Sequence, residues 1–280
     1  MKRIFIIISL LLTYRAVWSE PLLILQGNPL QGSLLVGIAS TQIDHVFLNA
    51  QPIQLHNQKF IIGFDRDAKL EHQLTLFQKN GDYHQIKFNI ENRSYPIEVI
   101  TGIPQQYTSS PQNDELNNRI KSEREIMTRA REQIRQSILA PYAERFCNPL
   151  PGGRITSLFG QERIMNDIPQ GYHRGVDLAR PAGTPIRVMA PGQVVLTGDF
   201  YYNGRFVLLD HGGGLSSIYM HLDRIGVETG QYLDLNDEIG TVGATGRVTG
   251  AHLHWGVNWY DWHLDPLEVI AEKEDFIIIR

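Results

Sequence analysis

Three short segments in the second half of the chain carry side chains that could bind a metal ion. They are His173-Arg174-Gly175-Val176-Asp177, Tyr219-Met220-His221-Leu222 and His252-Leu253-His254. Imidazole nitrogens and a carboxylate oxygen are the donors of catalytic zinc sites, in which three protein ligands leave one coordination position open for water or substrate. These residue types at these spacings therefore predict a metal-dependent hydrolase.

The spacing of the last pair indicates an extended strand, because side chains two residues apart in a strand point to the same face. His252 and His254 would share a face there, whereas a helix would place them on different sides. The alternate positions are apolar, namely Leu253, Trp255, Val257 and Trp259. This alternation predicts a half-buried strand with the two histidines on its polar face.

The same alternation test applies to the other two segments. It groups Ser217, Tyr219 and His221 on one face, and it places His173 with Asp177 if that stretch is extended. We therefore expect one face of a sheet to receive polar groups from three separate segments. His211 precedes three glycines and His263 lies in an aromatic loop, so both are interpreted as turn or structural residues.

These segments belong to an ordered series of motifs, between Pro149 and Pro266, that resembles the M23 family of zinc metallopeptidases, the lysostaphin-like cell-wall endopeptidases. The series also contains Gly153-Arg154-Ile155-Thr156-Ser157-Leu158-Phe159-Gly160, Asp210-His211-Gly212 and Thr249-Gly250-Ala251. The resemblance implies an all-β zinc peptidase domain that acts on peptidoglycan stem peptides. It further implies that His173, Asp177 and His254 bind Zn²⁺ and that His221 and His252 are the catalytic histidines.

Zinc lowers the pKa of bound water towards ~7 and polarises a scissile carbonyl, so an attacking hydroxide is available at neutral pH. The sequence has no His-Glu-x-x-His helix. Proton transfer must therefore come from other residues; the resemblance implies His221 and His252, and the sequence leaves open which acts as base and which as acid. A non-catalytic activator of a cell-wall amidase is an alternative within the fold, and a non-haem iron oxygenase is one outside it.

The N-terminal half alternates apolar and polar residues in six short runs separated by turn formers, which predicts a small β-sandwich over residues 20–108. The runs are Leu22–Leu25, Ser33–Ile38, His45–Leu48, Phe60–Phe64, Gln73–Phe77 and Gln85–Ile90. Residues 51–67 and 93–97 resemble the accessory domain that precedes M23 domains in some Gram-negative periplasmic proteins. That resemblance favours a D-Ala to diaminopimelate cross-link over pentaglycine. His45, His56, His72 and His84 lie here without ligand spacing.

Between the two regions, residues 109–141 read as a connector containing an amphipathic helix from Asp114 to Leu139, with the peptidase domain over residues 142–280. The predicted class is thus mostly β, with a sandwich, a helical connector and an all-β lysostaphin-like domain. We expect the helix to pack on one domain, because its apolar stripe is too short for a coiled coil.

Residues 1–19 have the basic start and short apolar centre of a secretory signal peptide, which predicts a periplasmic or secreted protein without a stable membrane anchor after cleavage. The formal charge of −4 becomes −7 when those residues, with three bases and no acids, are removed. An acidic chain is a poor match for nucleic acid. The single cysteine, Cys147, allows no internal disulfide. Cell-wall enzymes are possible partners.

Overall fold

A computed structural model describes residues 20–103, 113–140, 142, 144–273 and 275–280. Within these ranges the chain forms twenty-one strands and two helices, so the predicted mostly-β class is confirmed. The predicted signal peptide, residues 1–19, lies outside the described residues. No described helix is long and apolar enough to cross a membrane.

The N-terminal region is the predicted sandwich of two antiparallel four-stranded sheets, in the orders β21-β1-β2-β5 and β4-β3-β6-β7. Leu25, Phe60 and Leu74, one from each of three strands, are buried in its hydrophobic core. The strands are β1 Leu23–Gln26, β2 Leu34–Ala39, β3 Ile43–Leu48, β4 Gln51–Ile53, β5 Lys59–Gly63, β6 Glu71–Gln78, β7 Tyr83–Asn89 and β21 Asp275–Ile279.

Two strands pair across the predicted domain boundaries. Strand β21, near the carboxyl end, runs antiparallel to β1 and supplies the edge of the first N-terminal sheet. Strand β8, Ile97–Ile100, runs parallel to β10, Glu162–Met165, in a small sheet completed by β11, Ile168–Tyr172. The boundaries at residues 108 and 141 stay a prediction, and these pairings tie the regions on either side together.

A ten-stranded sheet dominates the C-terminal region and has the main order β17-β14-β15-β16-β19-β12-β9. Strand β19 lies at its centre, where it pairs with β16 on one side and β12 on the other. The bounds are β9 Arg154–Ser157, β12 Val176–Ala179, β13 Pro185–Arg187, β14 Gly192–Phe200, β15 Gly204–Asp210, β16 Leu215–Ile225, β17 Tyr232–Leu233, β18 Glu238–Val242, β19 Leu253–Trp259 and β20 Trp262–Leu264.

Helix α1, Asp114–Arg135, is the amphipathic connector helix expected from the sequence. The Asn113 side chain caps its first turn by accepting a hydrogen bond from the Glu115 amide. Ala130 and Ile134 pack on the ten-stranded sheet, against Val195, Phe206, Leu208 and Ile218. The helix ends four residues before the predicted Leu139, and Ile138, which the sequence pattern counted in the apolar stripe, is 94% exposed beyond its end. A short helix α2, Pro266–Ile270, is capped by Asp265.

Candidate metal centre

The structure brings His173, Asp177 and His254 together at the centre of the ten-stranded sheet. Strands β12 and β19 place Asp177 directly opposite His254, and His173 lies in the link that leads into β12. The His173 Nε2 atom is 2.9 Å from His254 Nδ1 and 3.0 Å from Asp177 Oδ1, and the last two atoms are 2.8 Å apart. Three donor atoms thus converge on one point, in a set that could hold a metal ion.

The surroundings of the two histidines of this set decide which ring nitrogen faces that point. His173 directs Nδ1 at the Leu158 carbonyl, at 2.9 Å, so the proton lies on Nδ1 and the Nε2 lone pair faces the centre. His254 instead presents Nδ1. A Cβ on Gly175 would come within 2.9 Å of the His254 ring and 2.4 Å of the Trp255 carbonyl, so only glycine permits this approach.

Electrostatics favour an ionised Asp177 and a neutral His254. Burial opposes the charged form of Asp177, but its close contacts with the His173 and His254 rings hold its pKa well below the ordinary value. Burial lowers the pKa of His254 to about 4, despite the neighbouring carboxylate. A neutral imidazole and an ionised carboxylate are the protonation states required of metal ligands.

His221 and His252 lie beside the three donors. The His221 ring centroid is 5.0 Å from that of His252 and 6.1 Å from that of His254, and His252 Nε2 is 3.8 Å from Asp177 Oδ1. Each ring directs Nδ1 at a backbone carbonyl, that of Thr245 at 2.8 Å and that of Gly250 at 2.9 Å. Burial, followed by the nearby histidines, lowers the pKa of His221 to about 3.

The predicted alternation in the second segment is wrong at His221. The register pairs Met220, rather than Tyr219, with His254, so regular alternation would point His221 away from the centre. His221 has a φ of 65°, and register shifts interrupt the pairing of β16 with both β15 and β18 around it. This local left-handed turn returns the imidazole to the side of His254. His252 also lies outside regular strand pairing: it forms an isolated bridge with Gly243 and precedes strand β19.

A second set of residues, absent from the sequence-based prediction, holds the Asp177 carboxylate. Arg163 on β10 donates from Nη2 to Asp177 Oδ2 at 2.7 Å and from Nε to Glu98 Oε2 at 2.9 Å. Ser157 donates to Glu98 at 2.7 Å and lies 3.0 Å from His173 Nδ1. Glu98 comes from β8, 65 residues before its arginine partner, and no local spacing in the sequence signals this long-range contact.

The donors open into a cleft of about 860 Å³. One wall is the first half of helix α1, and the other is formed by β10, β11 and the segments that follow them. The lining residues, hereafter the cationic cleft, are Asn117, Ile120, Lys121, Arg124, Arg163, Met165, Ile168, Gln170, Tyr172, His173, Arg174, Tyr202, Asn203, Met220, His221, Arg247 and His254. The cleft therefore reaches two of the three donor residues, His173 and His254.

Comparison with known proteins agrees with this geometry. Residues 171–266 match the profile of Peptidase family M23. The peptidoglycan DD-endopeptidase ShyA of Vibrio cholerae is 43% identical over 103 residues, 36% of this chain and 24% of that protein. ShyC of the same organism, also a peptidoglycan DD-endopeptidase, is 38% identical over 123 residues, 44% of this chain and 28% of that protein. The similarity thus spans about a quarter of the length of each relative.

A solved structure extends the similarity beyond the matched segment. The crystal structure of a candidate M23 peptidase from Pseudomonas aeruginosa superimposes with a TM-score of 0.64 and 27% sequence identity. The superposition covers 87% of this chain and 95% of that one, so most of both chains share one architecture. Profile, relatives and structure agree with the resemblance read from the motifs, and the segment that matches the Peptidase family M23 profile, residues 171–266, contains all five side chains around the centre.

Proposed function

We propose that the protein is a zinc-dependent endopeptidase, acting outside the cytoplasm, that hydrolyses peptide cross-links of peptidoglycan of the D-Ala to diaminopimelate type. The observation that carries the proposal is the convergence of His173 Nε2, Asp177 Oδ1 and His254 Nδ1, all within 3.0 Å of one another, in an M23 domain. The DD-endopeptidase names of the Vibrio cholerae relatives support the substrate class.

The donor set suits zinc. Zinc binds imidazole nitrogen and carboxylate oxygen at about 2 Å, and a single ion can lie at that distance from three atoms spaced as these are. Two histidines and one carboxylate also leave a coordination position for water or substrate, the arrangement of catalytic rather than structural zinc sites. When bound, the ion would lower the pKa of a water molecule and polarise the scissile carbonyl.

His221 and His252 then transfer the protons. Because each directs Nδ1 at a backbone carbonyl, the proton of the neutral ring lies on Nδ1 and Nε2 is left as an acceptor. One Nε2 can accept a proton from the attacking water, and a protonated Nε2 can donate to the leaving amine or to the developing oxyanion. Either histidine can be the base, with the other as the acid.

Digestion of cross-linked diaminopimelate-type peptidoglycan tests the proposal. Protein starting at Glu20 should convert dimeric muropeptides to monomers without new sugar reducing ends, because an amide bond is cut. A chelator should abolish the conversion and added zinc should restore it, and Asp177→Asn should be inactive in both conditions. Dimers that persist with one zinc ion bound per chain would refute the proposal, and activation of a wall amidase by that same preparation would indicate the non-catalytic alternative.

A further inference from the structure

The cationic cleft has a charge opposite to that of the whole chain. Five of its lining residues are lysine or arginine, and none is aspartate or glutamate, whereas the chain has a formal charge of −4. Lys121 and Arg124 lie on helix α1, while Arg163, Arg174 and Arg247 come from the opposite, C-terminal wall. Positive charge therefore faces the cleft from both sides, next to the metal donors.

Helix α1 is held in place as a wall of this cleft. Its Ile120 side chain is buried, and Glu123 accepts a hydrogen bond from the Tyr201 amide at 3.0 Å. Arg119 donates to the Asp199 carbonyl at 3.2 Å. These contacts fix Lys121 and Arg124 at the cleft edge, while about 860 Å³ of open space separates the helix from the other wall.

The five cations are not equally neutralised by the protein. Arg163 is paired with Asp177 and Glu98. In the part of the chain that the structure describes, Lys121 and Arg124 form no ion pair with a carboxylate, and Arg174 has only a longer-range attraction to Asp65. A cleft lined by one sign of charge attracts ligands of the opposite sign, and the field weakens with ionic strength. Zinc at the neighbouring centre would add to it.

We propose that the cationic cleft binds free carboxylates of the substrate peptide and that helix α1 is part of the substrate-binding surface. This inference rests on the proposed function and narrows its substrate to acidic stem peptides. Diaminopimelate cross-links carry free carboxylates near the scissile amide, whereas a glycine bridge carries none. Arginine and lysine on both walls match a ligand with more than one carboxylate.

Binding of a fluorescently labelled diaminopimelate-type muropeptide dimer tests the inference. Anisotropy is measured with chelator present, so that no bond is cut, and the dimer is compared with the same dimer amidated at its free carboxylates. Arg124→Gln and Arg174→Gln should each raise the Kd for the acidic dimer about threefold to fivefold, as expected for exposed charge contacts. Arg129→Gln is the matched control, an exposed arginine on the same helix outside the cleft, and should leave the Kd unchanged.

The amidated dimer should bind several-fold more weakly, and neither cleft variant should weaken it further. Equal Kd values for the two dimers, or equal effects of Arg124→Gln and Arg129→Gln, would overturn the inference. Hydrolysis is measured separately with zinc. Charge-dependent binding without hydrolysis supports the inference and contradicts the proposed function, whereas hydrolysis of both dimers with equal KM supports the proposed function and contradicts the inference.

Discussion

Buried histidines in the two halves of the molecule use their ring nitrogens in different ways. In the N-terminal sandwich, His72 lies 2.8 Å from Asn49 through Nδ1 and 2.7 Å from the Lys69 carbonyl through Nε2. Around the candidate metal centre, His173, His221 and His252 each direct Nδ1 at a backbone carbonyl, so that Nε2 is left for the centre or the cleft. His72, His173 and His221 are all buried, so burial alone does not identify a candidate catalytic or ligating histidine. The partners of the two ring nitrogens separate these three residues from His72.

The largest expected effect tests whether the histidine ligands proposed for the centre, unlike His72, are required for zinc binding. His254→Ala, like His173→Ala and Asp177→Ala, should reduce bound zinc from about one per chain to background, because three protein ligands are the minimum set of such a site. His72→Ala should keep the zinc and lose only stability, by about 1–3 kcal/mol for its buried polar partners. Elemental analysis of the purified variants checks both. Stoichiometric zinc in all three ligand variants would refute the assignment.

The next effect separates the ligands from the proton-transfer histidines. His221→Ala and His252→Ala should each retain zinc and lower the rate of dimer hydrolysis by roughly a hundredfold, as loss of general acid or base catalysis does. Rates and metal content are measured on the same preparations. Near-normal turnover in both variants would remove the catalytic assignment, and zinc loss in the His252 variant would mean that residues 252 and 254 exchange roles.

His211 sharpens the comparison, since it lies in the same sheet as the centre but resembles His72. Its ring contacts the Pro191 carbonyl at 2.8 Å and Ser217 Oγ at 2.7 Å, and burial lowers its pKa from 6.5 to about 4. The folded state therefore binds fewer protons than the unfolded state, so this contribution to stability is complete above pH 6.5 and is lost as the pH falls towards 4.

Replacing His211 should remove the part of the pH dependence of the unfolding free energy that comes from this residue. The difference in unfolding free energy between the wild type and His211→Gln should shrink by about 2 kcal/mol from pH 7 to pH 5. Urea denaturation at the two pH values measures it, and zinc content serves as the control because His211 is no ligand. A difference that is constant with pH would show that His211 binds protons equally in the folded and unfolded states, which contradicts a lowered pKa.

The smallest expected effect concerns the support of the Asp177 carboxylate. Arg163→Lys and Glu98→Gln should leave the protein folded and raise the Kd for zinc about tenfold, since hydrogen bonds to a ligand orient it and tune its affinity. Competition with a chromogenic chelator measures the Kd. Arg180→Lys is the control, because that arginine donates only to the Pro151 carbonyl at the surface. An unchanged Kd would show that the Arg163 contact is structural alone.

The sequence predicts those features whose pattern is local. Alternation around Leu253 and Trp255 correctly indicated a strand, although β19 is buried along its whole length rather than on one face, because it pairs on both sides within the sheet. The apolar spacing of Ala130 and Ile134 correctly indicated a packed helix. The orientation of His221 depends on an interrupted register between three strands, which no single segment encodes. Glu98 and Arg163 meet because a parallel pairing joins β8 to β10, and such long-range pairing leaves no periodic trace.

The roles of the site residues were predicted from the family resemblance rather than from local spacing. Donor types and order in the chain matched a known family, and this assigned ligands that spacing alone left ambiguous. His252 and His254 differ by two positions and would be equivalent in a regular strand. In the fold only His254 is paired opposite Asp177, while His252 precedes the strand and stands 3.8 Å from that carboxylate. Tertiary position, rather than spacing, separates the two.

The pairing of β21 with β1 also bears on how the molecule is assembled. Strand β1 is synthesised first among the described strands and its partner last, so the N-terminal sheet keeps an open edge until nearly the whole chain is available. Contacts of such large sequence separation slow folding, and an unpaired edge invites association with other chains. Truncation before Asp275 would therefore leave β1 as an unpaired edge of the first N-terminal sheet, beside β2 and β5, and expose it to pairing with other chains.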